Sequence, residues 1–348
     1  MKILQRHHLL ARFRSVLLAS LLTLAVSAHA QPPVTVDGTK NTALPPLDTA
    51  IQSDLQAIPT DPAPEEIIRG VHYVISNEYK LELFHDALKD LKGGIHIGVG
   101  AEQNYLFAGW SRPDILILLD FDSFIVHLHK LYAIAFLNAP TPEDFVQLWE
   151  AKSKKRFYRY IDASTQDRAY RAKLKRIYRH SRIFVAKRTK YIRRHYPKQN
   201  VPTFLTDADQ YNAIVRLYQT GRVLRVRGDF TAHKTMKGIA AFARKHNFEV
   251  SSLYLSNVEY YFSFNTKHYR DNILAQPFAE DSAVMHTIPH SSTEYYYLWH
   301  TGGNFQEWLE CRCVNKYRSL LKHAERLGDP EKRRLTKSPP PRKEKEAK

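Results

Sequence analysis

Cysteine is nearly absent: Cys311 and Cys313 are the only two in 348 residues. Two thiols do not make a disulfide framework, and on a helix positions i and i+2 point to different faces. A tight C-x-C bridge in an oxidising compartment and two separately packed thiols both fit, and neither makes the pair a metal site. Familiar catalytic signatures are missing too. There is no G-x-S-x-G elbow, no H-E-x-x-H and no Walker lysine loop. His127 and His129 stand two apart on an expected helix, a spacing that turns the rings apart and argues against a metal. No repeat of fixed period is visible, and only one stretch is long and strongly apolar, Val16–Val26. At eleven residues it is too short to span a bilayer as a stable helix.

That run has a recognisable setting. Lys2, Arg6, Arg12 and Arg14 precede it with no acid among them, and Ala28-His29-Ala30 follows. A positive start, a short apolar stretch and an A-x-A site make a secretory signal, so residues 1–30 are read as one. The expectation is an exported chain, periplasmic or extracellular, that starts near Gln31 and has no transmembrane segment. Removing four positive charges leaves 17 − 4 = +13 on it, an excess that favours anionic partners.

Residues 31–64 hold seven prolines and few large apolar groups, as expected of a linker or an arm that hugs the domain. The folded domain is expected over 65–328, beginning with two helical runs around 67–75 and 81–91. Strands are expected at Ile95–Val99, Asp114–Leu119, Arg222–Arg227, Glu249–Leu255 and Ala283–Ile288, with helices between them. The first two are almost unbroken in apolar residues, as buried parallel strands are. Thr141-Pro142-Glu143-Asp144 carries a cap, a first-turn proline and acids in the order of a helix start. A final amphipathic helix is expected over Phe305–Leu327, and residues 329–348 read as a basic tail too polar to fold. The fold class is α/β, a doubly wound and mostly parallel sheet.

One segment interrupts the alternation. Residues 152–198 contain 18 Lys/Arg against Asp162 and Asp167, with eight aromatic residues interleaved. Two readings stand side by side: a helical insertion that binds an anionic polymer or lipid head groups, and a solvated hairpin whose tyrosines dock it on the domain.

The expected strand ends collect the chemistry. Gly98-Val99-Gly100 lets the backbone turn sharply before a helix N-terminus. Gln103 stands where a full G-x-G-x-x-G would carry its third glycine, and Glu102 would repel a phosphate, so a nucleoside or amino-acid-like ligand suits the loop better than a diphosphate. Asp120 and Asp122 end the second strand, where an acid takes ribose hydroxyls in such folds. Gly228-Asp229-Phe230 ends the third, and Ser256-Asn257-Val258-Glu259 the fourth. Asn257 and Glu259 supply an amide and a carboxylate for orienting a substrate or taking a proton. Gly98, Gly100, Asp120, Asp122, Asp229 and Asn257 are therefore expected around one crevice, the glycines opposite the acids of the second strand.

GVGAEQN, LLDFD, GDF and YLSNVE in this order resemble a family of uncharacterised bacterial proteins with a class I, S-adenosylmethionine-dependent methyltransferase-like Rossmann fold. The resemblance covers roughly Gly70 to Pro289, with the basic block as an insertion. It implies a pocket of S-adenosylmethionine shape. Gly98, Gly100, Glu102 and Asn104 would line its methionine side, Asp120 or Asp122 would hold the ribose, and Asp229 would face the base. Ser256, Asn257 and Glu259 would face the acceptor. Three functions follow: an exported methyltransferase-like protein using the old cleft for another small molecule, an active S-adenosylmethionine-dependent methyltransferase, and a structural envelope protein.

Overall fold

The computed structural model describes residues 44–340 apart from Lys267 and Ser292. The signal-like segment 1–30, residues 31–43 of the arm and the tail beyond 340 lie outside the described residues. In chain order the elements are α1 (Thr49–Gln56), α2 (His85–Leu88), β1 (Ile95–Val99), α3 (Gln103–Ser111), β2 (Ile115–Asp120), α4 (Ser123–Asn138) and α5 (Pro142–Leu148). Next come α6 (Lys154–Ala163), α7 (Arg168–His195), α8 (Ala208–Gln219), β3 (Val223–Arg227), α9 (Thr235–Lys245), β4 (Val250–Ser256) and α10 (Tyr269–Leu274). The chain closes with β5 (Phe278–Pro289), β6 (Tyr295–His300), α11 (Gly302–Cys311), α12 (Tyr317–Leu321), β7 (Glu325–Arg326) and β8 (Lys332–Arg334).

All eight strands form one sheet in the order β3-β2-β1-β4-β5-β6-β8-β7. The first five are parallel, β6 runs antiparallel to β5, and β8 lies parallel to β6. Every residue of β1 and β2 is buried. Successive side chains in a strand face opposite sides, so both faces of the sheet are covered there, which is why these strands read as continuous apolar runs. The order reverses between β1 and β4, and at such a switch point the adjoining loops part and leave a crevice.

The helices follow local signals. Thr141 caps α5 by accepting from the Asp144 N–H at 3.1 Å, with Pro142 in the first turn. On α4, Leu128, Leu131, Tyr132, Ala135 and Phe136 form the buried stripe. The basic block is a hairpin of α6 and the 28-residue α7. Its inward face carries Leu174, Ile177, Tyr178, Val185 and Ile192, and Phe157 stacks on Tyr178 at 4.4 Å.

Four stretches depart from the pattern expected of them. The proline-rich arm is part of the fold from Leu47 onward: Asp48 caps α1, and Leu55, Ile58 and Asp61 are buried. Residues 67–75 show the right apolar spacing, yet Arg69 and Gly70 take positive φ angles that break a helix, and only a 3₁₀ turn forms there. The second expected run is helical from Leu81 to Leu88, a 3₁₀ turn leading into the four-residue α2. The long final helix is cut at Arg312, also at positive φ, where Cys311 and Cys313 are joined in a disulfide. The tail supplies β8, whose residues pair with Tyr297–Trp299, while Leu335 is buried. Three backbone residues suffice to extend a sheet edge, and Arg334 adds a cation–π contact 4.4 Å from the Trp299 ring.

Candidate functional site

A cleft of about 460 Å³ opens at the carboxyl ends of β1, β2, β4 and β5. Gly100 enters it after β1, Asp120 and Phe121 from β2, Ser256 and Asn257 from β4, and His290 after β5. A second, wider hollow at the amino ends of the strands is lined by Lys92, Asp114 and Arg244 among others. There Asp114 accepts the Gly94 N–H at 2.9 Å, a turn-holding role.

The glycine loop is tied from three sides. Gly100, at φ +88°, gives its N–H to Asp120 Oδ2 at 3.2 Å, and its carbonyl accepts from His129 Nε2 at 2.8 Å. The Ala101 N–H goes to Gln103 Oε1 at 3.0 Å. These two N–H groups are therefore engaged within the domain and are not free to hold a phosphate. Asp120 Oδ1 accepts the Asp122 N–H at 2.8 Å, and burial pushes the Asp120 carboxyl up to about 7.

Part of the cleft's polar lining comes from a segment the sequence did not single out. Residues 68–78 run across the opening and contribute Arg69, Tyr73, Ser76, Asn77 and Glu78. Glu78 is buried and accepts from Ser76, from Ser256 Oγ at 2.5 Å and from Thr287 Oγ1 at 2.8 Å. It thus bridges the ends of β4 and β5 to the covering segment. The polar triplet Ser76-Asn77-Glu78 after an apolar run was the available signal. Tyr260 and Tyr261, 50% and 43% exposed, stand at the mouth beside Arg318. Beyond the mouth, ligand atoms of His290, Glu294 and Glu331 lie within 4.8 Å of one another, and the Lys80 ammonium already pairs with Glu331 at 2.9 Å.

Of the residues expected in the crevice, Gly100, Asp120, Ser256 and Asn257 line it; the other six lie elsewhere. Gly98 leaves room for Asn104, since a β-carbon there would fall 1.8 Å from Asn104 Oδ1. Asn104 is buried, with its amide on the Val99 carbonyl at 3.1 Å and on the Ala101 carbonyl. Glu102 faces Arg188 of α7, Oε1 to Nε 2.8 Å, and accepts the Ser76 N–H. Its side chain is 1% exposed, so it stands with the insertion and away from the methionine side expected of it. Burial raises the Glu102 carboxyl and the guanidinium draws it partly back.

Asp122 caps α4 through the Phe124 N–H at 2.8 Å and holds His72 Nδ1 at 2.7 Å. Asp229 folds back on Thr231, while its own N–H donates to Asp61. Glu259 is buried below the cleft, bonded to the Tyr269 hydroxyl and to His286 Nδ1 at 2.5 Å, and His286 Nε2 meets His300 Nε2 at 2.8 Å. Neither Asp229 nor Glu259 reaches the cleft lining. In each of these cases a backbone or side-chain partner nearer than the cleft satisfies the polar group, as buried carboxylates require.

No curated protein matches this sequence. The pattern of one family matches residues 73–337, which takes in most of the cleft, the basic hairpin and the sheet through β8. The chain belongs to that family, described as Domain of unknown function (DUF7790).

Proposed function

We propose that this is an exported protein that holds a small polar molecule in the cleft at the carboxyl end of its sheet. The observation that carries this reading is the convergence of Gly100, Asp120, Ser256 and Asn257, from three parallel strands, on one cavity beside the β1/β4 switch point. Tyrosine rings at the mouth and the amides of Asn77 and Asn257 suit a hydroxylated or ring-bearing ligand. Export is supported by the segment 1–30 and by the Cys311–Cys313 disulfide, a bond favoured in oxidising compartments.

S-adenosylmethionine fits half of this cleft. Asp120 ends β2 where ribose hydroxyls are held in dinucleotide folds. The methionine side does not fit, because Glu102 and Asn104 have buried partners and the loop donors are engaged. The methyltransferase-like resemblance therefore supports the fold and the nucleoside end of the cleft, and no methyl-transfer step is derived from it.

The test is to identify what copurifies with the protein by native mass spectrometry, and to follow melting with S-adenosylmethionine, S-adenosylhomocysteine, adenosine, sugars and amino acids. A bound ligand raises the melting point by mass action. A carboxylate accepts ligand hydroxyls better than a carboxylic acid does, so affinity should rise from about pH 6 to about 8 as Asp120 ionises. Asp120→Ala should remove both effects. A protein that retains nothing and responds to no member of the panel would point to the structural envelope role.

A further inference from the structure

Helix α7 has two faces with different uses. Its inward residues recur at three- and four-residue spacing and are buried against the domain. Directly opposite stand Arg176, Arg179, Ile183, Lys187, Lys190 and Arg194, all exposed. At 1.5 Å per residue this stripe is about 27 Å long. Lys190 pairs with Glu150 at 2.9 Å. Arg176, Arg179, Lys187 and Arg194 make no ion pair among the described residues, and no acid occurs in α7 itself.

Ile183, in the middle of the stripe, is 47% exposed, and Phe184, turned about 100° further around the helix, flanks it at 43% exposed. Solvated cations need no partner, but two adjacent large apolar side chains left in water on an otherwise charged helix are uneconomical. A soluble polyanion would neutralise the cations and leave both apolar groups wet. A bilayer interface accepts both kinds of group, phosphates taking the cations and the acyl boundary taking the apolar pair.

We infer that the outer face of α7 seats the protein on an anionic phospholipid bilayer, with Arg176, Arg179, Lys187 and Arg194 on head-group phosphates and Ile183 and Phe184 in the interface. The inference uses none of the cleft residues and stands or falls apart from the cleft's ligand.

Vesicle sedimentation of the full chain tests it, comparing phosphatidylglycerol/phosphatidylcholine vesicles with phosphatidylcholine alone. Two variants are compared with the parent: Arg179→Glu with Lys187→Glu, and Ile183→Ser with Phe184→Ser. All three proteins carry residues 16–26, so any affinity of that apolar run is common to them. Binding should be at least tenfold tighter on the anionic vesicles and be mostly lost at about 0.5 M salt. Since each surface cation is worth roughly fivefold, the charge reversal should weaken binding at least tenfold. The serine pair should weaken vesicle binding severalfold while leaving retention on soluble heparin unchanged.

Circular dichroism verifies that both variants fold, and Arg179→Gln with Lys187→Gln replaces the reversal if it does not. Equal binding to both vesicle types overturns the inference, as does indifference to the charge reversal. Vesicle binding untouched by the serine pair overturns it as well, and together with strong heparin retention that result assigns the stripe to a polyanion.

Discussion

Replacing Arg188 by methionine removes the one buried cation of α7. Its guanidinium is 2% exposed, donates Nε to Glu102 at 2.8 Å and Nη2 to the Glu78 carbonyl at 2.8 Å. Methionine fills much of the volume but leaves Glu102 buried with only the backbone N–H groups of Ser76 and of residue 102 itself as donors. Breaking a buried pair by removing one partner costs about 3–5 kcal/mol. For a domain of this size that is roughly 6–10 °C of melting temperature.

The loss carries a pH signature. Without the guanidinium the Glu102 carboxyl rises further above its unfolded value, because burial acts unopposed. A raised carboxyl favours the protonated folded state, so the penalty is absent below the unfolded pKa and grows as pH climbs through the folded one. Melting curves of parent and variant should thus converge in acid, below the unfolded carboxyl's range, and separate as pH rises. Adding Glu102→Gln should recover a large part of the loss at the higher pH. A change under about 1 kcal/mol at pH 8, or one independent of pH, would refute the latch, since a pair that water can reach behaves that way.

Asp61→Ala should release the proline-rich arm, because Asp61 accepts the N–H groups of Asp229, Lys234 and Thr235 at the start of α9. A loss of about 1–2 kcal/mol in denaturant melts, with earlier proteolysis before residue 61, is expected. Alkylation of unreduced protein should find no free thiol among the described residues, and reduction of Cys311–Cys313 should cost less than about 2 kcal/mol because so short a loop constrains the unfolded chain little. In the unliganded protein, the raised Asp120 carboxyl favours folding below its unfolded pKa. That contribution is lost as pH rises through about 7, a slope that Asp120→Asn should flatten in melting curves.

The parallel core was legible because burial on both faces writes itself as an apolar run: Ile95–Val99 is a strand with the bounds its sequence suggests, and β2 to β5 follow within a few residues. The cleft's place was legible for the same reason, since parallel strand ends share an edge. The occupancy of that edge was not. Whether Asp120 or Asp122 faces the cleft depends on which backbone N–H groups lie within reach, and Asp122 is drawn to the α4 N-terminus and His72. The covering segment 68–78 was hidden because its apolar spacing imitates a helix, while positive φ angles at Arg69 and Gly70 and the tertiary contacts of Glu78 keep it from forming one. β6 was missed because YYYLWH carries no polar alternation to mark a half-buried strand.

Two oddities of the sequence explain each other. Glu102 stands in a glycine loop where an acid would repel a phosphate, and residues 152–198 carry far more basic groups than one solvated face can hold. A helix has a full circumference, and successive residues are turned by about 100°. With Ile177, Tyr178, Val185 and Ile192 directed at α4 and its neighbours, position 188 falls on the buried side whatever occupies it. An arginine there requires a buried anion, and the loop after β1 is the part of the sheet domain that supplies one. Glu102 is thus the counter-ion of the insertion, and the loop can carry it because Gly100 and Ala101 already give their N–H groups to Asp120 and Gln103. A loop whose donors are spent on its own domain has no anion to lose. The same exchange sets the azimuth of α7: with Arg188 held inward, Lys187 and Ile183 must face out, so the latch at the cleft and the exposed stripe are consequences of one helical register.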